Sequence, residues 1–419
     1  MRVLMLSWEY PPVVVGGLGR HVHALATGLA AAGHEVTVVT RHGDDAPLDE
    51  VLEGVRVVRA PADPPLLTFA TETLLAWTMS FNHALTRAAL RVAAESGYDV
   101  VHAHDWLVTH AAVTLKHHLG VPLVATIHAT EAGRHSGWLP GELNRCVHSV
   151  EWWLTYEARR VLVCSAYMRW EVTRLFELPA GKVQVIPNGV TAPRVTQRAV
   201  RAARAEYSGD GPLVLYAGRL VHEKGVQDLL AAVPTLRRRF PGLRVVLAGD
   251  GKYAPELREE VTRRRLGRTV RFAGFVADGL PALLSAADCV VVPSRYEPFG
   301  IVALEAAAVG SPLAVAATGG LAEFVEPGET GVTFPPKDPA ALADAVSALL
   351  RDEVLARRVA RRARTLVAER YAWPVIAART ADAYQTATRD ERTLHATDGP
   401  MPQIVVPEGN LLRDAVSGQ

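Results

Sequence analysis

Two cations, Arg219 and Lys224, stand five residues apart in Gly218-Arg219-Leu220-Val221-His222-Glu223-Lys224-Gly225, directly after a short apolar run. A planar guanidinium and a compact ammonium at the carboxyl end of a strand suit the oxygens of a diphosphate leaving group. The competing reading is a solvated surface pair. A second constellation is Ser294-Arg295-Tyr296-Glu297-Pro298-Phe299-Gly300-Ile301-Val302-Ala303-Leu304-Glu305-Ala306. Glu297 precedes a helical pattern, and Glu305 sits inside it on an Ala/Leu/Val face. A carboxylate in apolar surroundings is costly without a partner. Ribose hydroxyls would serve Glu305 and sugar hydroxyls Glu297. The structural alternatives are a buried salt bridge for Glu305 and, for Glu297, a charge favoured by the helix dipole.

Two glycine pairs accompany these charges. Gly16-Gly17-Leu18-Gly19 opens the first helical pattern, and Thr318-Gly319-Gly320 lies at a strand-to-helix turn. Glycine lets the backbone approach a ligand closely, and free amides at such turns attract anions. A dinucleotide fingerprint is the obvious rival for the first pair. It fails because residues 8–15 separate the strand from the glycines and Val22 stands where the third glycine belongs. A dehydrogenase is weakened accordingly. His128, at a strand tip, can hydrogen-bond a sugar, although a lone histidine is as often structural. His104-Asp105-Trp106 is expected to shape a loop lining the cleft. His102 and His104 form an H-x-H pair with no third ligand evident nearby, so no metal is expected there. The chain has no D-x-D pattern for a metal-clamped nucleotide and no P-loop for ATP or GTP hydrolysis.

The elements that must position these residues follow from periodicity. Short β-branched runs fall at residues 3–7, 35–40, 55–59, 99–104, 122–128, 161–165 and 183–187, with helical patterns such as 18–32 and 107–119 between them. Such runs read as strands buried on both faces of a parallel sheet. The alternation restarts at 213–217, 244–248, 270–275, 289–293 and 312–316, after a polar stretch near 190–210 that reads as a linker. Two α/β units of similar size are expected, with ligands held beyond the carboxyl ends of their strands. Helices are expected at 340–350, 354–369 and 373–388, and the last 30 or so residues lack a clear period.

Composition narrows the function classes. A formal charge of +1 over 419 residues supplies no basic footprint for nucleic acid. The apolar start at 1–6 is too short for a signal peptide core, and no run of about 20 apolar residues exists to span a bilayer. Cys146, Cys164 and Cys289 are scattered in apolar surroundings, as expected of reduced thiols in a cytoplasmic protein.

Taken together, Gly16-Gly17-Leu18, Gly218-Arg219 with Lys224-Gly225, Glu297-Pro298-Phe299-Gly300 with Glu305 seven intervening residues later, and Thr318-Gly319-Gly320 resemble the retaining GT-B glycosyltransferases of family 4. The resemblance covers roughly residues 1–390, and the E-x7-E segment is its most specific part. Ser7-Trp8-Glu9-Tyr10-Pro11-Pro12, His104-Asp105-Trp106 and Thr126-Ile127-His128-Ala129-Thr130 resemble, within that family, the actinobacterial glycogen-synthase-like α-1,4-glucosyltransferases.

The resemblance implies the following arrangement. An acceptor domain spans 1–195 and a nucleotide-sugar domain 196–370, followed by a crossover helix over 371–390 and a poorly structured tail over 391–419. Arg219 and Lys224 hold the donor diphosphate, Glu305 the ribose, and Glu297 the transferred sugar. Gly16, Gly17, Phe299, Gly300, Ile301, Gly319 and Gly320 complete the donor site. His128 lies beside the anomeric centre, and His104, Asp105 and Trp106 face the acceptor. The implied substrates are UDP- or ADP-glucose and a glucan or oligosaccharide, with no cofactor and no metal. One departure is visible: Val14-Val15 precede the glycines where starch-synthase-type relatives carry Lys-Thr. Two other functions remain open, a GDP-mannose-dependent mannosyltransferase with a lipid acceptor and a non-catalytic nucleotide-sugar or glycan-binding protein. Arg237, Arg238 and Arg239 and the arginines between 358 and 364 would meet anionic lipid in the first case, although solvated helix faces are the favoured reading of them.

Overall fold

The computed structural model describes residues 1–397, apart from 44, 65, 209 and 277. The first half builds an eight-stranded sheet from β1 (Arg2–Leu6), β2 (Glu35–Arg41), β3 (Asp49–Leu52), β4 (Val55–Ala60), β5 (Val100–His104), β6 (Leu123–Ile127), β7 (Arg160–Val163) and β8 (Val183–Val185). Its strand order is β3-β4-β2-β1-β5-β6-β7-β8. The second half builds a six-stranded sheet from β9 (Leu213–Ala217), β10 (Arg244–Ala248), β11 (Val270–Gly274), β12 (Cys289–Val292), β13 (Leu313–Ala316) and β14 (Val332–Phe334). There the order is β11-β10-β9-β12-β13-β14.

Every paired strand is parallel to its neighbour except β3, which lies antiparallel on β4. Glu53 and Gly54 make that hairpin, with φ of 49° and 80°. Positive φ at both central residues gives the turn whose twist matches the paired strands. The central strands are wholly buried, as their mainly apolar runs require: no residue of β5, β6, β9, β12 or β13 is exposed.

In each sheet the chain order reverses beside one strand. β1 is flanked by β2 and β5, and β9 by β10 and β12. Connections leave in opposite directions at these places and open a crevice at the strands' carboxyl ends. The loop after β1 carries Gly16 and Gly17, and the loop after β9 carries Gly218 to Gly225. Both motifs therefore stand at the two topological switch points.

Two expectations need correction. The supposed linker contains a helix, Gln197–Tyr207, whose Val200, Ala203 and Tyr207 pack on the core while Arg198 and Arg201 face outward and Arg204 bonds the carbonyls of Ala286 and Gly211. The closing helix runs Trp373–Thr397, so residues 391–397 are helical and not tail. Asp390 pairs with Arg160 and Glu391 with Arg159, each at 2.6 Å, and these ties carry the helix past residue 390. Residues 398–419 lie outside the described residues. That helix packs on the helix Gly17–Ala31 of the first half, with Ile376, Ala377 and Tyr384 joining Val22, Leu25 and Leu29 in one apolar cluster.

Candidate functional site

The second-half wall of the cleft grows from β9 and β12. Gly225 has φ of 69°, and a Cβ there would collide with the carbonyl of Pro293. Glycine thus lets the turn His222–Lys224 press against the loop after β12. Asp228 holds the same loop by accepting two bonds from Arg295, at 2.8 and 2.6 Å. The outcome is an ion pair of 2.7 Å between Lys224 Nζ and Glu297 Oε2, with Ser294 Oγ donating to the same oxygen at 2.9 Å. Both side chains are largely buried. Arg219 differs: its guanidinium is 60% exposed and reaches Glu223 only at 3.9 Å, so it can swing to an incoming anion.

The glycine pair after β13 works unevenly. Gly319 has φ of 51°, and any side chain there would strike the carbonyl of Glu297. Gly320 donates its amide to that same carbonyl at 3.0 Å. Gly320 therefore fastens two loops together, and of the pair it is Gly319 whose amide is left for a ligand. Gly300 (φ 104°) begins the helix Ile301–Val309, and Phe299 is buried against Tyr371 with ring centres 6.0 Å apart. Phe299 thus anchors the loop from inside the core, whereas Ile301 faces across the cleft: a Cβ on Gly17 would lie 3.0 Å from its Cδ1.

One turn of helix beyond Ile301, Glu305 receives Arg20 from the first half at 2.8 Å. Its other oxygen, Oε2, is buried with no hydrogen-bond partner among the described residues. Burial raises the carboxyl pKa, opposed by Arg20. An unpartnered acceptor beside the facing glycine loop is a place for a hydroxyl donor.

The first-half wall is built from β1, β5 and β6. Glu9, which sequence reasoning missed, is almost wholly buried, and its carboxylate accepts the amides of Val15 and Gly16. A Cβ on Gly19 would sit 3.2 Å from the same carboxylate. The loop is therefore shaped around an internal anion, and the amide of Gly16 is already taken. Only the helical start beyond it remains to meet a ligand.

Asp105 follows β5 with φ of 61° and accepts the backbone N–H of His128 at 2.8 Å. Burial pushes the Asp105 carboxyl up to about 6. Asp105 thus positions the His128 loop, as expected of a loop-shaping residue. His104 and Trp106 are buried, Trp106 within the hydrophobic core, so neither presents a surface to an acceptor. His128 is half-buried, and burial holds its ring down at about 4, leaving it a neutral hydrogen-bonding group.

The H-x-H pair divides its work. His102 is occupied on both nitrogens, by Tyr384 and Thr126, each at 2.7 Å. His104 turns instead to His128, Nδ1 to Nε2 at 3.2 Å, and His21 packs on His128 from the first helix with ring centres 4.7 Å apart. The expectation that His104 lacks nearby imidazole partners is thereby corrected. They arrive from other elements, 83 and 24 positions away in sequence, where local spacing gives no signal.

The halves meet directly. Glu323 accepts the amides of Ala166 and Tyr167 at 2.8 and 2.7 Å, capping a first-half helix. Ser165 Oγ donates to the carbonyl of Pro298 at 2.7 Å, and Tyr296 donates to Glu171 at 3.0 Å. Lys224, Glu297 and Gly319 consequently share one wall, and Ile301 and Glu305 meet Gly17 and Arg20 across the boundary between the halves.

Comparison with known proteins agrees with this geometry. Residues 15–194 match the model of Glycosyltransferase Family 4, and residues 201–366 that of Glycosyl transferases group 1. A glycogen synthase of Mycobacterium tuberculosis is 48% identical over 97% of this chain and 99% of its own length. Sucrose-phosphate synthase from Thermosynechococcus elongatus superposes with a TM-score of 0.79 at 28% identity, covering 93% of this chain and 99% of that one. The catalytic domain of starch synthase IV from Arabidopsis thaliana, solved with ADP and acarbose, shares the fold with a TM-score of 0.74 at 18% identity, covering 93% and 99%. Two switch-point loops facing each other across one cleft, matched by both family models and by a near-full-length relative, place the chain among the group 1/family 4 glycosyltransferases, as a GT-B hexosyltransferase.

Proposed function

We propose that the protein transfers glucose from UDP- or ADP-glucose to an α-1,4-glucan or oligosaccharide, with retention at the anomeric carbon. The observation that carries this reading is Glu305. Its orphaned buried oxygen lies on the same wall as the Lys224–Glu297 pair and the exposed Arg219. A nucleoside diphosphate sugar needs that set: an acceptor for ribose hydroxyls, cations for phosphate and a carboxylate for the sugar. The near-full-length similarity to a glycogen synthase supports glucose and glucan as donor group and acceptor.

In this mechanism Arg219 and Lys224 stabilise the charge that grows on the departing diphosphate. Glu297, already bonded to Lys224, orients the ammonium and accepts sugar hydroxyls. Neutral His128 hydrogen-bonds the sugar without adding charge beside a developing cationic carbon. The acceptor hydroxyl attacks from the face the diphosphate leaves, and the leaving phosphate takes its proton. No metal or cofactor is required by these steps. The contacts between the halves exclude water and limit donor hydrolysis.

Nucleoside diphosphate release from UDP-, ADP- and GDP-sugars, with and without glycogen or maltooligosaccharides, tests the reading. Acceptor-dependent release from UDP- or ADP-glucose, with an α-linked product by NMR, is expected. Turnover of GDP-mannose alone would replace it with a mannosyltransferase, and no turnover of any donor with a binding module. The arginine runs do not favour the lipid acceptor: Arg239 is paired with Asp344 and Arg362 with Glu329.

A further inference from the structure

Three imidazoles from three elements converge behind the donor cleft. His21 comes from the helix Gly17–Ala31, His104 from the end of β5, and His128 from just past β6. One ring nitrogen of each lies within 4.8 Å of the other two. The ring centres form a triangle with sides of 4.7, 5.5 and 5.7 Å. A zinc ion bound tetrahedrally at about 2.0–2.1 Å by three imidazole nitrogens sets ring centres roughly 5.2 Å apart, close to the triangle observed. The 3.2 Å between His104 Nδ1 and His128 Nε2 also fits one edge of such a tetrahedron.

Two further observations point the same way. His21 Nδ1 is buried with no hydrogen-bond partner among the described residues. Unsatisfied buried nitrogens are uncommon and call for an explanation. Burial also holds all three rings unprotonated, the form a metal requires. His102 stays outside the set, because both of its nitrogens are spent on Tyr384 and Thr126. Its role is to buttress His104, with ring centres 4.2 Å apart.

We propose that His21, His104 and His128 form a tris-imidazole site for Zn²⁺, with a water molecule as fourth ligand, and that the ion, when bound, silences the enzyme by tying down His128. Binding is a ligand exchange: three neutral nitrogens displace water from the aqueous ion, and no proton need leave beyond a tautomer shift. Imidazole is a preferred ligand type for zinc, and three protein ligands with one open position is a common arrangement. The inhibitory consequence rests on the placement of His128 beside the sugar proposed above; the binding does not.

The test is titration of the full chain with Co²⁺, read by the visible d–d absorption of four-coordinate cobalt, followed by displacement with Zn²⁺. One equivalent should bind and develop that spectrum. His21→Gln should weaken Co²⁺ at least about 10-fold, since loss of a ligand costs no less than loss of a supporting residue. His23→Gln, on the same helix but directed at Glu53, should leave it unchanged. Because His21→Gln sits in the core, the parent protein is also labelled with ¹⁵N-histidine. Zn²⁺ should shift three ring signals and spare the others. Absence of the tetrahedral spectrum, equal affinity in both variants, or shifts spread over the surface histidines would overturn the site. Binding with undiminished transfer would leave the metal site standing and remove His128 from the reaction.

Discussion

The two walls of the cleft are built on opposite electrostatic terms. The second-half wall keeps its charges and pairs them, Lys224 with Glu297 and Arg295 with Asp228, while Arg219 stays in water. On the first-half wall burial leaves the histidines neutral, and the Asp105 carboxyl is raised to about 6. A diphosphate that departs with two negative charges needs fixed cations on its own side. A sugar that becomes cationic needs a partner that adds none. The comparison teaches that burial with an opposite charge beside it keeps Lys224 and Glu297 ionised, whereas burial among other imidazoles leaves the histidines a neutral hydrogen-bonding surface.

The strongest challenge to this contrast is Lys224→Ala. Removing one fixed charge-stabilising donor costs about 10²–10³-fold in rate, so diphosphate release should fall by that factor in protein that circular dichroism shows to be folded. Retention of most activity would mean that the paired wall is scaffolding. Glu305→Gln comes next. Loss of a charged acceptor for hydroxyl donors costs about 1.5–3 kcal/mol, so donor KM should rise roughly 10-fold or more with kcat little changed. Arg20→Ala should shift donor KM by only a few-fold, because its 55% exposed pair with Glu305 is largely screened.

The same contrast extends behind the first wall. Glu151 accepts the amide of Glu131 at 2.9 Å, and burial pushes its carboxyl up to about 8. A raised carboxyl pKa means the folded state holds a proton that the unfolded chain has released. Stability is therefore lost as pH rises from about 4.5 toward 8. Glu151→Gln keeps the acceptor and removes the titration. Its stability should gain on the parent by at least about 1 kcal/mol between pH 5 and 8, followed by urea unfolding. An unchanging difference across that range would show the carboxylate ionised and paired.

The charged wall was legible in the sequence because its parts are local. Arg219 and Lys224 share one loop, and Glu305 is a lone carboxylate on an apolar helical pattern directly after Glu297. The neutral wall was not. His21 occupies an ordinary inward position beside Val22 and Leu25, and only the sheet order brings β5 and β6 alongside β1 and its helix. Glu9 is similarly silent, since a carboxylate in an irregular loop has no period and its partners are backbone amides. Among the strands, β3 was missed because its surface is mostly exposed, and β14 because three residues carry too little pattern. The central strands, short runs dominated by apolar residues, were unmistakable.

The last helix returns to the first sheet, where Tyr384 reaches His102 and Ile376 and Ala377 cover Val22, Leu25 and Leu29. For a chain synthesised from its amino terminus, this has a consequence in time. The first sheet can form early, yet part of one face, beside the helix Gly17–Ala31, stays bare until the whole second half has left the ribosome. Throughout that interval the nascent protein carries an open apolar groove, the kind of surface chaperones engage. The domain begun first is the one completed last.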